Sequence, residues 1–333
     1  MKILVTAEFT DDGIRRLEAL GMEVIYEPWT GRDRLLLSDE MAERLKELGA
    51  EAVILEIDLC HEEVFEENKL KFVGCCRGDP INVDVEEATD AGTPVFFTPG
   101  RNADAVADLT VGAILCYERN IVDAAGLLKS GNFDPETPKQ LMKMLKGWAG
   151  HELGTMAVGI VGLGAVGAAV AKRLSGFGCR MLGYDPFLSE GRFQELCVEK
   201  ASLEELFKES DIVTIHAAIN DDTEGMITKE LIDSMREDAV FVNLARAELV
   251  DNEALVEALR EKRIRGAVVD VFMSEPPRPD DPFINLDNVL ATPHMAGMSK
   301  DIVAHQTETI MADVERFMRG EKPKYCANPE VLE

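Results

Sequence analysis

The stretch Val158-Gly159-Ile160-Val161-Gly162-Leu163-Gly164-Ala165-Val166-Gly167 decides the fold of this chain. Its first four residues form an apolar run typical of a buried strand, and the glycines that follow have the Gly-x-Gly-x-x-Gly spacing. Asp185 lies 23 positions after Gly162, at the end of the next apolar run. A strand, a glycine turn, a helix and a distant acidic residue form the fingerprint of a dinucleotide-binding βαβ unit.

Each residue of this fingerprint has a physical role. Gly162 permits the tight turn, Gly164 lets the backbone approach a pyrophosphate, and Gly167 allows the helix to pack closely on the strand. The helix N-terminus offers unpaired N–H groups and the positive end of the helix dipole to the phosphates. A carboxylate at Asp185 would accept the ribose hydroxyls and repel a 2′-phosphate, so we predict NAD as the cofactor and not NADP.

A membrane span is the main alternative for the same region. The nineteen residues from Leu153 to Ala171 carry no charge, which meets the length expected of a transmembrane helix. Five glycines and the missing aromatic flanks argue against a span, and the dinucleotide fingerprint accounts for nearly all of those glycines. We therefore predict no association with a membrane.

Bulk composition restricts the class of protein further. A chain of 333 residues can hold two ordinary domains, and its net charge of −27 disfavours nucleic acid and anionic lipid as partners. Met1 to Ala7 has too short an apolar run for a signal peptide and is predicted as a first strand. Seven cysteines without Cys-x-x-Cys spacing indicate a reduced, cytoplasmic compartment, and no metal site is predicted.

Strand and helix patterns alternate along the chain, which predicts βαβ units and parallel sheets. In the first hundred residues strands are predicted at 3–7, 23–26, 52–55, 72–75 and 95–97. A second series follows a long helix over 103–119, with six strands at 158–161, 180–184, 212–215, 240–243, 266–271 and 289–291. The segment 129–150 has no strand pattern and is predicted as a projecting arm, and 300–319 is predicted as a last helix.

Three side chains that could take part in catalysis follow strands of the second series. They are Arg246, Glu275 and His294. Taken singly, the arginine could be a surface or capping group, the glutamate a solvated turn residue and the histidine a core residue. Together they lie at the strand ends where open α/β sheets bind ligands, and they combine a carboxylate-binding cation with an imidazole that a carboxylate can tune.

These segments resemble the D-isomer-specific 2-hydroxyacid dehydrogenase family almost end to end. The matching pieces, besides the glycine fingerprint, are Thr98-Pro99-Gly100-Arg101-Asn102, Gly150-His151-Glu152-Leu153, Asn243-Leu244-Ala245-Arg246, Asp270 to Pro276 and Thr292-Pro293-His294. The resemblance implies a Rossmann NAD-binding domain, 101–297, inserted into a flavodoxin-like substrate domain, 1–100 and 298–333. It also implies closure over a cleft between the domains, and a homodimer that uses 129–150.

The resemblance also implies roles for individual residues. Arg246 would orient the carboxylate and carbonyl of the substrate, His294 would exchange its proton, and Glu275 would pair with His294. Asp270 would lie near the nicotinamide. The remaining positions implied to line the cofactor are Ala165, Val166, His216, Ala217, Thr223 and Ala245.

The substrate loop departs from the family pattern. The run from Arg77 and Gly78 to Asp84, the implied substrate-binding loop, is two residues shorter, and Pro80 removes an amide donor. Arg77 and Arg101 are candidates for anion contacts, or else solvated surface residues. The expected substrates are 3-phosphoglycerate, glyoxylate or hydroxypyruvate, and then D-lactate; the acid itself stays open.

A second class of function is an NAD-sensing binding protein of the corepressor type on the same fold. Retention of the arginine, glutamate and histidine argues for an enzyme. The chain ends at Glu333, so we expect no additional regulatory domain of the kind that some phosphoglycerate dehydrogenases carry.

Overall fold

The first hundred residues alternate short apolar strands with helices, and in the computed structural model these strands form a five-stranded parallel sheet. The structure describes residues 1–132 and 138–333. The strands are β1 (Lys2–Val5), β2 (Glu23–Tyr26), β3 (Ala52–Leu55), β4 (Val73–Cys75) and β5 (Val95–Phe97). The helices between them are α1 (Asp11–Ala19), α2 (Ser38–Leu48), α3 (Glu62–Glu67) and α4 (Val85–Asp90). The strand order β2-β1-β3-β4-β5 is the flavodoxin-like order.

The second series of strands forms a separate, seven-stranded parallel sheet. Its strands are β6 (Ala157–Val161), β7 (Arg180–Tyr184), β8 (Glu199–Lys200), β9 (Ile212–Ile215), β10 (Val240–Asn243), β11 (Gly266–Val269) and β12 (Val289–Ala291). The order β12-β11-β10-β9-β6-β7-β8 reverses direction at β6, so the topological switch point of a doubly wound sheet lies between β6 and β9. The prediction of two parallel α/β sheets is confirmed.

Helices cover this second sheet and connect its strands. They are α5 (Ala103–Glu118), α6 (Ile121–Ser130), α7 (Pro138–Gly147), α8 (Ala165–Leu174), α9 (Glu190–Glu195), α10 (Leu203–Glu209), α11 (Lys229–Ser234) and α12 (Asn252–Arg260). Separate apolar clusters pack on its two faces, one with Leu206 and Phe241 and the other with Val170 and Val242. Burial on both faces explains why its central strands are almost wholly apolar.

The chain returns to the first sheet through α13 (Ile302–Met318). This helix packs on α1, where Arg16 of α1 pairs with Glu315 at 2.9 Å. Contacts divide the chain into two units, Met1–Asn102 with Ser299–Glu333, and Ala103–Met298. The first unit is therefore built from two separate stretches of the sequence.

Apart from shifts of one or two residues at the ends of elements, two predicted segments differ from the structure. The six predicted strands of the second sheet omit β8, which has only two residues, both exposed, and so carries no apolar signal. The predicted arm 129–150 contains α7 over Pro138–Gly147, while its residues 133–137 lie outside the described residues. None of the helices that the structure describes is long and apolar enough to cross a membrane, and the uncharged run 153–171 contains strand β6.

The glycine turn after β6 shows which glycines the backbone requires. Gly162 has φ +84°, a left-handed conformation that side chains disfavour. A Cβ atom on Gly167 would lie 1.9 Å from the carbonyl oxygen of Gly162. Because that oxygen belongs to the backbone, a change of side-chain conformation could not remove the clash. A Cβ atom on Gly164 would have no neighbouring atom within 4 Å, so the packing of the protein would also accept another small residue at this position.

Substituting these two glycines separates folding from ligand contact. We expect Gly167→Ala to lower the free energy of unfolding by about 1–3 kcal/mol, because the helix must move off the turn. We expect the control Gly164→Ala to change it by less than about 0.5 kcal/mol. Urea denaturation followed by circular dichroism measures both, and equal stabilities for the two variants would contradict this account of the turn.

Candidate active site

The glycine turn and the start of α8 form an exposed cradle at the switch point of the second sheet. Gly164 precedes α8, and both Gly164 and Ala165 are exposed. Asp185 follows β7, and its carboxylate accepts hydrogen bonds from the amides of Leu163 at 2.9 Å and Phe187 at 3.0 Å. The carboxylate is therefore fixed beside the turn. These features fit a dinucleotide. The ten-residue helix α8 has an open N-terminus, the space beside Gly164 is one that a Cβ atom would fill, and the carboxylate is fixed.

The end of β9 packs against this turn. A Cβ atom on Gly162 would lie 2.7 Å from the amide nitrogen of Ala217, so the backbone of the glycine turn packs directly on the backbone that follows β9. His216 is 9% exposed, and Nε2 of its ring lies 2.9 Å from the hydroxyl of Thr214 on β9. Burial lowers the pKa of His216 to about 3, so the ring stays neutral. The Thr223 hydroxyl donates to the carbonyl of Ala218 at 2.7 Å and closes the following loop.

Arg246 lies three residues after the end of β10. Asn243, the last residue of that strand, accepts a hydrogen bond from the amide of Ala245 at 3.0 Å and donates to the carbonyl of Arg246 at 2.8 Å. This side chain closes the turn and sets the direction in which the chain leaves the sheet. The exposed guanidinium of Arg246 donates to the carbonyl of Ala245 at 2.7 Å, which holds it close to the strand end.

His294 and Glu275 come together from two different loops. Nδ1 of His294 lies 2.5 Å from Oε2 of Glu275, and the side chains are 41% and 37% exposed. Burial alone would raise the pKa of Glu275. The hydrogen bonds from His294 and from the amide of Phe272, with the charges of His294 and Arg246, outweigh burial and lower that pKa. Glu275 is therefore an ionised acceptor, and Nε2 is the ring atom of His294 left for a ligand.

A fully buried carboxylate holds the histidine loop. Asp270 accepts hydrogen bonds from the Thr292 hydroxyl at 2.5 Å and from the amides of Met295 at 3.0 Å and Ala296 at 2.8 Å. His294 itself has φ +52°, a left-handed conformation that is rare outside glycine and needs support from its surroundings. These hydrogen bonds come from residues on both sides of His294, so Asp270 supplies that support.

In the first unit, the two candidate anion contacts differ. Arg77 follows β4, its carbonyl accepts the amide of Thr98 at 2.8 Å, and its side chain forms no ion pair within 4.0 Å among the described residues. Gly78 follows it in an exposed position. Arg101 is neither a free anion contact nor a solvated residue, because it pairs with the buried Glu56 at 2.8 Å.

Sequence reasoning named Asp270 as a neighbour of the nicotinamide but missed its supporting role, and it missed Glu56 altogether. Asn243 and Asp270 each follow an apolar run directly and belong to quoted motif segments, so their positions were visible but not their hydrogen bonds. Glu56 directly follows the apolar run of β3, the same signal that singled out the other strand-end residues. Within the described residues, no group of three or more His, Cys, Asp or Glu side chains could hold a metal ion.

Comparisons with known proteins agree with this geometry. Residues 111–296 match the family model described as "D-isomer specific 2-hydroxyacid dehydrogenase, NAD binding domain". The chain is 36% identical over 330 residues to a D-3-phosphoglycerate dehydrogenase of Methanocaldococcus jannaschii, covering 98% of this chain and 59% of that protein. It is 35% identical over 333 residues to a glyoxylate reductase of Korarchaeum cryptofilum, covering 99% and 97%.

Solved structures give the same result. The apo structure of D-lactate dehydrogenase from Escherichia coli matches with a TM-score of 0.74 at 27% identity, covering 98% of this chain and all of that one. The chain belongs to the D-isomer-specific 2-hydroxyacid dehydrogenases, NAD-dependent oxidoreductases that interconvert a D-2-hydroxyacid and its 2-oxoacid.

Proposed function

We propose that Arg246, Glu275 and His294 carry out this reaction on a small 2-hydroxyacid or 2-oxoacid. The observation that supports the proposal most strongly is the 2.5 Å contact between His294 Nδ1 and Glu275 Oε2. That contact presents the other ring nitrogen to a ligand and keeps an anionic partner beside an imidazole that must carry a proton. The family supplies the reaction, and this pair supplies its acid–base group.

Each protein group has a distinct task in the proposed mechanism. Gly162, Gly164, Gly167 and Asp185 would hold NADH, which would supply the hydride for reduction of the carbonyl carbon. The guanidinium of Arg246 binds the substrate carboxylate, for which its planar fork is well suited. His294 Nε2 donates a proton to the carbonyl oxygen, and in the reverse direction removes it from the hydroxyl. Glu275 contacts Nδ1 and orients the imidazole, while Asp270 holds the loop that carries it.

Further cofactor contacts are proposed by position in the fold. Ala165 and Val166 begin α8, Ala217 packs on the glycine turn, and Ala245 precedes Arg246. For His216 the geometry supports a role through its backbone, since its ring contacts Thr214. Thr223 and Asp270 shape loops at the same sheet edge, and we propose that both act by positioning.

In this proposal one unit binds the cofactor and the other contributes to binding the substrate. Residues 101–297 would be the NAD-binding domain, which the family model over 111–296 supports. Residues 1–100 and 298–333 would be the substrate domain, contributing Arg77 and Gly78 at the carboxyl edge of its sheet. A truncated chain of residues 101–297 that failed to bind NADH while folded would contradict the division.

The oligomeric state and compartment are also proposals. We propose a homodimer, because α6 and α7 expose the apolar side chains of Ile121, Val122, Leu128, Met142 and Leu145. A monomer in analytical ultracentrifugation at micromolar concentration would contradict it.

We propose a cytoplasmic location, which the seven free cysteines support because oxidising compartments favour disulfides. Fewer than seven titratable thiols in the freshly unfolded protein would argue against it.

A substrate screen tests the proposed activity. Purified protein should oxidise NADH in the presence of at least one acid among glyoxylate, hydroxypyruvate, 3-phosphohydroxypyruvate and pyruvate. NADPH should be used at least about tenfold less efficiently, because the fixed carboxylate of Asp185 repels a 2′-phosphate. Initial rates at 340 nm measure both. Tight NADH binding without consumption by any acid would instead favour an NAD-sensing binding protein.

Removing the proposed proton donor tests the catalytic assignment. We expect His294→Ala to lower kcat by about 10²–10⁴-fold, the range for loss of a general acid, while the Kd for NADH stays nearly unchanged. His151→Ala, at an exposed histidine of the same unit, is the matched control and should keep full activity. Full activity in His294→Ala would show that another group delivers the proton.

A further inference from the structure

Methionine side chains are exposed on both loops that carry the Glu275–His294 pair. The chain has 14 methionines, and most of them are buried or half-buried. Met273 lies two residues before Glu275, and it is 67% exposed. Met295 directly follows His294, and Met295 and Met298 are 41% and 78% exposed. Only two other methionines of the described residues are exposed, so the exposed thioethers are concentrated at this pair.

Backbone hydrogen bonds hold these methionines in place. The amide of Phe272 donates to Oε1 of Glu275 at 3.2 Å and closes a turn that contains Met273. The amide of Met298 donates to the carbonyl of Met295 at 2.9 Å and closes a second turn directly after the histidine. Because consecutive Cα atoms are about 3.8 Å apart, the Cα atoms of Met273 and Met295 lie within about 8 Å of those of the glutamate and the histidine, respectively. Ordered backbone therefore keeps the thioethers beside the pair.

Two hydrogen-bond donors of the proposed mechanism belong to the same place. Arg246 is exposed, and it is close enough to Glu275 for its charge to lower the pKa of that carboxyl. Nδ1 of His294 is occupied by Glu275, so Nε2 is the ring atom left to donate. A thioether is only a weak acceptor and leaves such donors to the substrate. A sulfoxide is polar, and its oxygen would compete with the substrate for both donors.

We propose that hydroperoxides oxidise Met273, Met295 and Met298 to sulfoxides and thereby inhibit the enzyme. This inference rests on the proposed function and adds a modification site to it. The thioether sulfur attacks one oxygen of hydrogen peroxide and forms an S–O bond as the O–O bond breaks. The proton of the transferred oxygen goes to the departing oxygen, so the sulfur is oxidised by two electrons and the peroxide is reduced to water. Hydrogen peroxide is uncharged, so the net charge of −27 does not repel it.

The cysteine thiols are the competing targets of the same oxidant. Burial raises the pKa of five of the seven thiols, which keeps them protonated and slow to react. The other two are Cys116, half-buried on α5, and Cys197, exposed beyond α9. Neither lies on the loops that carry the catalytic pair, so the effect of thiol oxidation can be separated from that of sulfoxide formation.

Peroxide treatment of the purified protein tests the inference. When peptide mass spectrometry shows sulfoxide at all three methionines, kcat/KM for 2-oxoacid reduction should be at least about tenfold lower, the size expected of one hydrogen bond to a charged group. The Kd for NADH should stay nearly unchanged. Dithiothreitol alone should not restore activity, whereas dithiothreitol with methionine sulfoxide reductases for both epimers should restore it.

Three results would overturn the inference. They are undiminished activity with the three methionines oxidised, recovery with dithiothreitol alone, and sulfoxide at the exposed Met318 without sulfoxide at the three. Reduction of no 2-oxoacid before treatment would instead overturn the proposed function on which the inference rests.

Leucine variants then assign the effect to these positions. The triple variant Met273→Leu, Met295→Leu, Met298→Leu conserves side-chain volume and should keep its activity through peroxide treatment. Met318→Leu is the matched control, because Met318 at the end of α13 is 42% exposed, and this variant should be inactivated like the wild type. Equal inactivation of the triple variant and the wild type would overturn the assignment. If the triple variant is inactive before treatment, recovery of the oxidised wild type by the reductases decides.

Discussion

The hydrogen bonds of the Asp270 carboxylate are the constraint on which the active site depends. Asp270 is completely buried just beyond β11, and it binds the Thr292 hydroxyl and the amides of Met295 and Ala296 beyond β12. A buried carboxylate without such partners would be costly, so the two loops cannot separate without a large loss of free energy. His294, inside the second loop, is thereby held at φ +52° against Glu275.

Charge placement determines what such a site can bind. The protein carries a net charge of −27, so an anionic acid is repelled by most of its surface and must be bound by a few placed cations. Arg246 is exposed at a strand end and close enough to Glu275 to lower the pKa of that carboxyl. Arg101, by contrast, is neutralised by Glu56 inside its own unit. Of two arginines that both follow strands in the sequence, one is therefore free of an ion pair within the described residues and the other is neutralised.

Much of the fold could be predicted because buried parallel strands leave a strong apolar signal. β9 (Ile212–Ile215) and β10 (Val240–Asn243) were located residue for residue on that signal. β11 was predicted to run to Val271 but ends at Val269, because Asp270 leaves the ladder to bind the neighbouring loop. β8 was missed, since two exposed polar residues at a sheet edge carry no pattern.

The candidate site was predictable to the extent that its residues follow strands. Arg246, Glu275 and His294 were identified in this way, and their distances to one another were not accessible from the sequence. The partners of buried polar groups were equally inaccessible, because Asp270 contacts residues more than twenty positions away and Glu56 contacts Gln306 from the far end of the chain. Such long-range hydrogen bonds depend on the packing of the sheets and leave no local pattern.

The kcat for 2-oxoacid reduction, measured for the wild type and Glu275→Gln together with the Kd for NADH, tests the central claim that His294 delivers the proton while Glu275 holds its ring. The Glu275 carboxylate lies 2.5 Å from Nδ1 of His294, and this contact leaves Nε2 directed to a ligand. Its removal should therefore lower kcat by at least about tenfold and leave the Kd for NADH nearly unchanged. A kcat equal to that of the wild type would contradict the account.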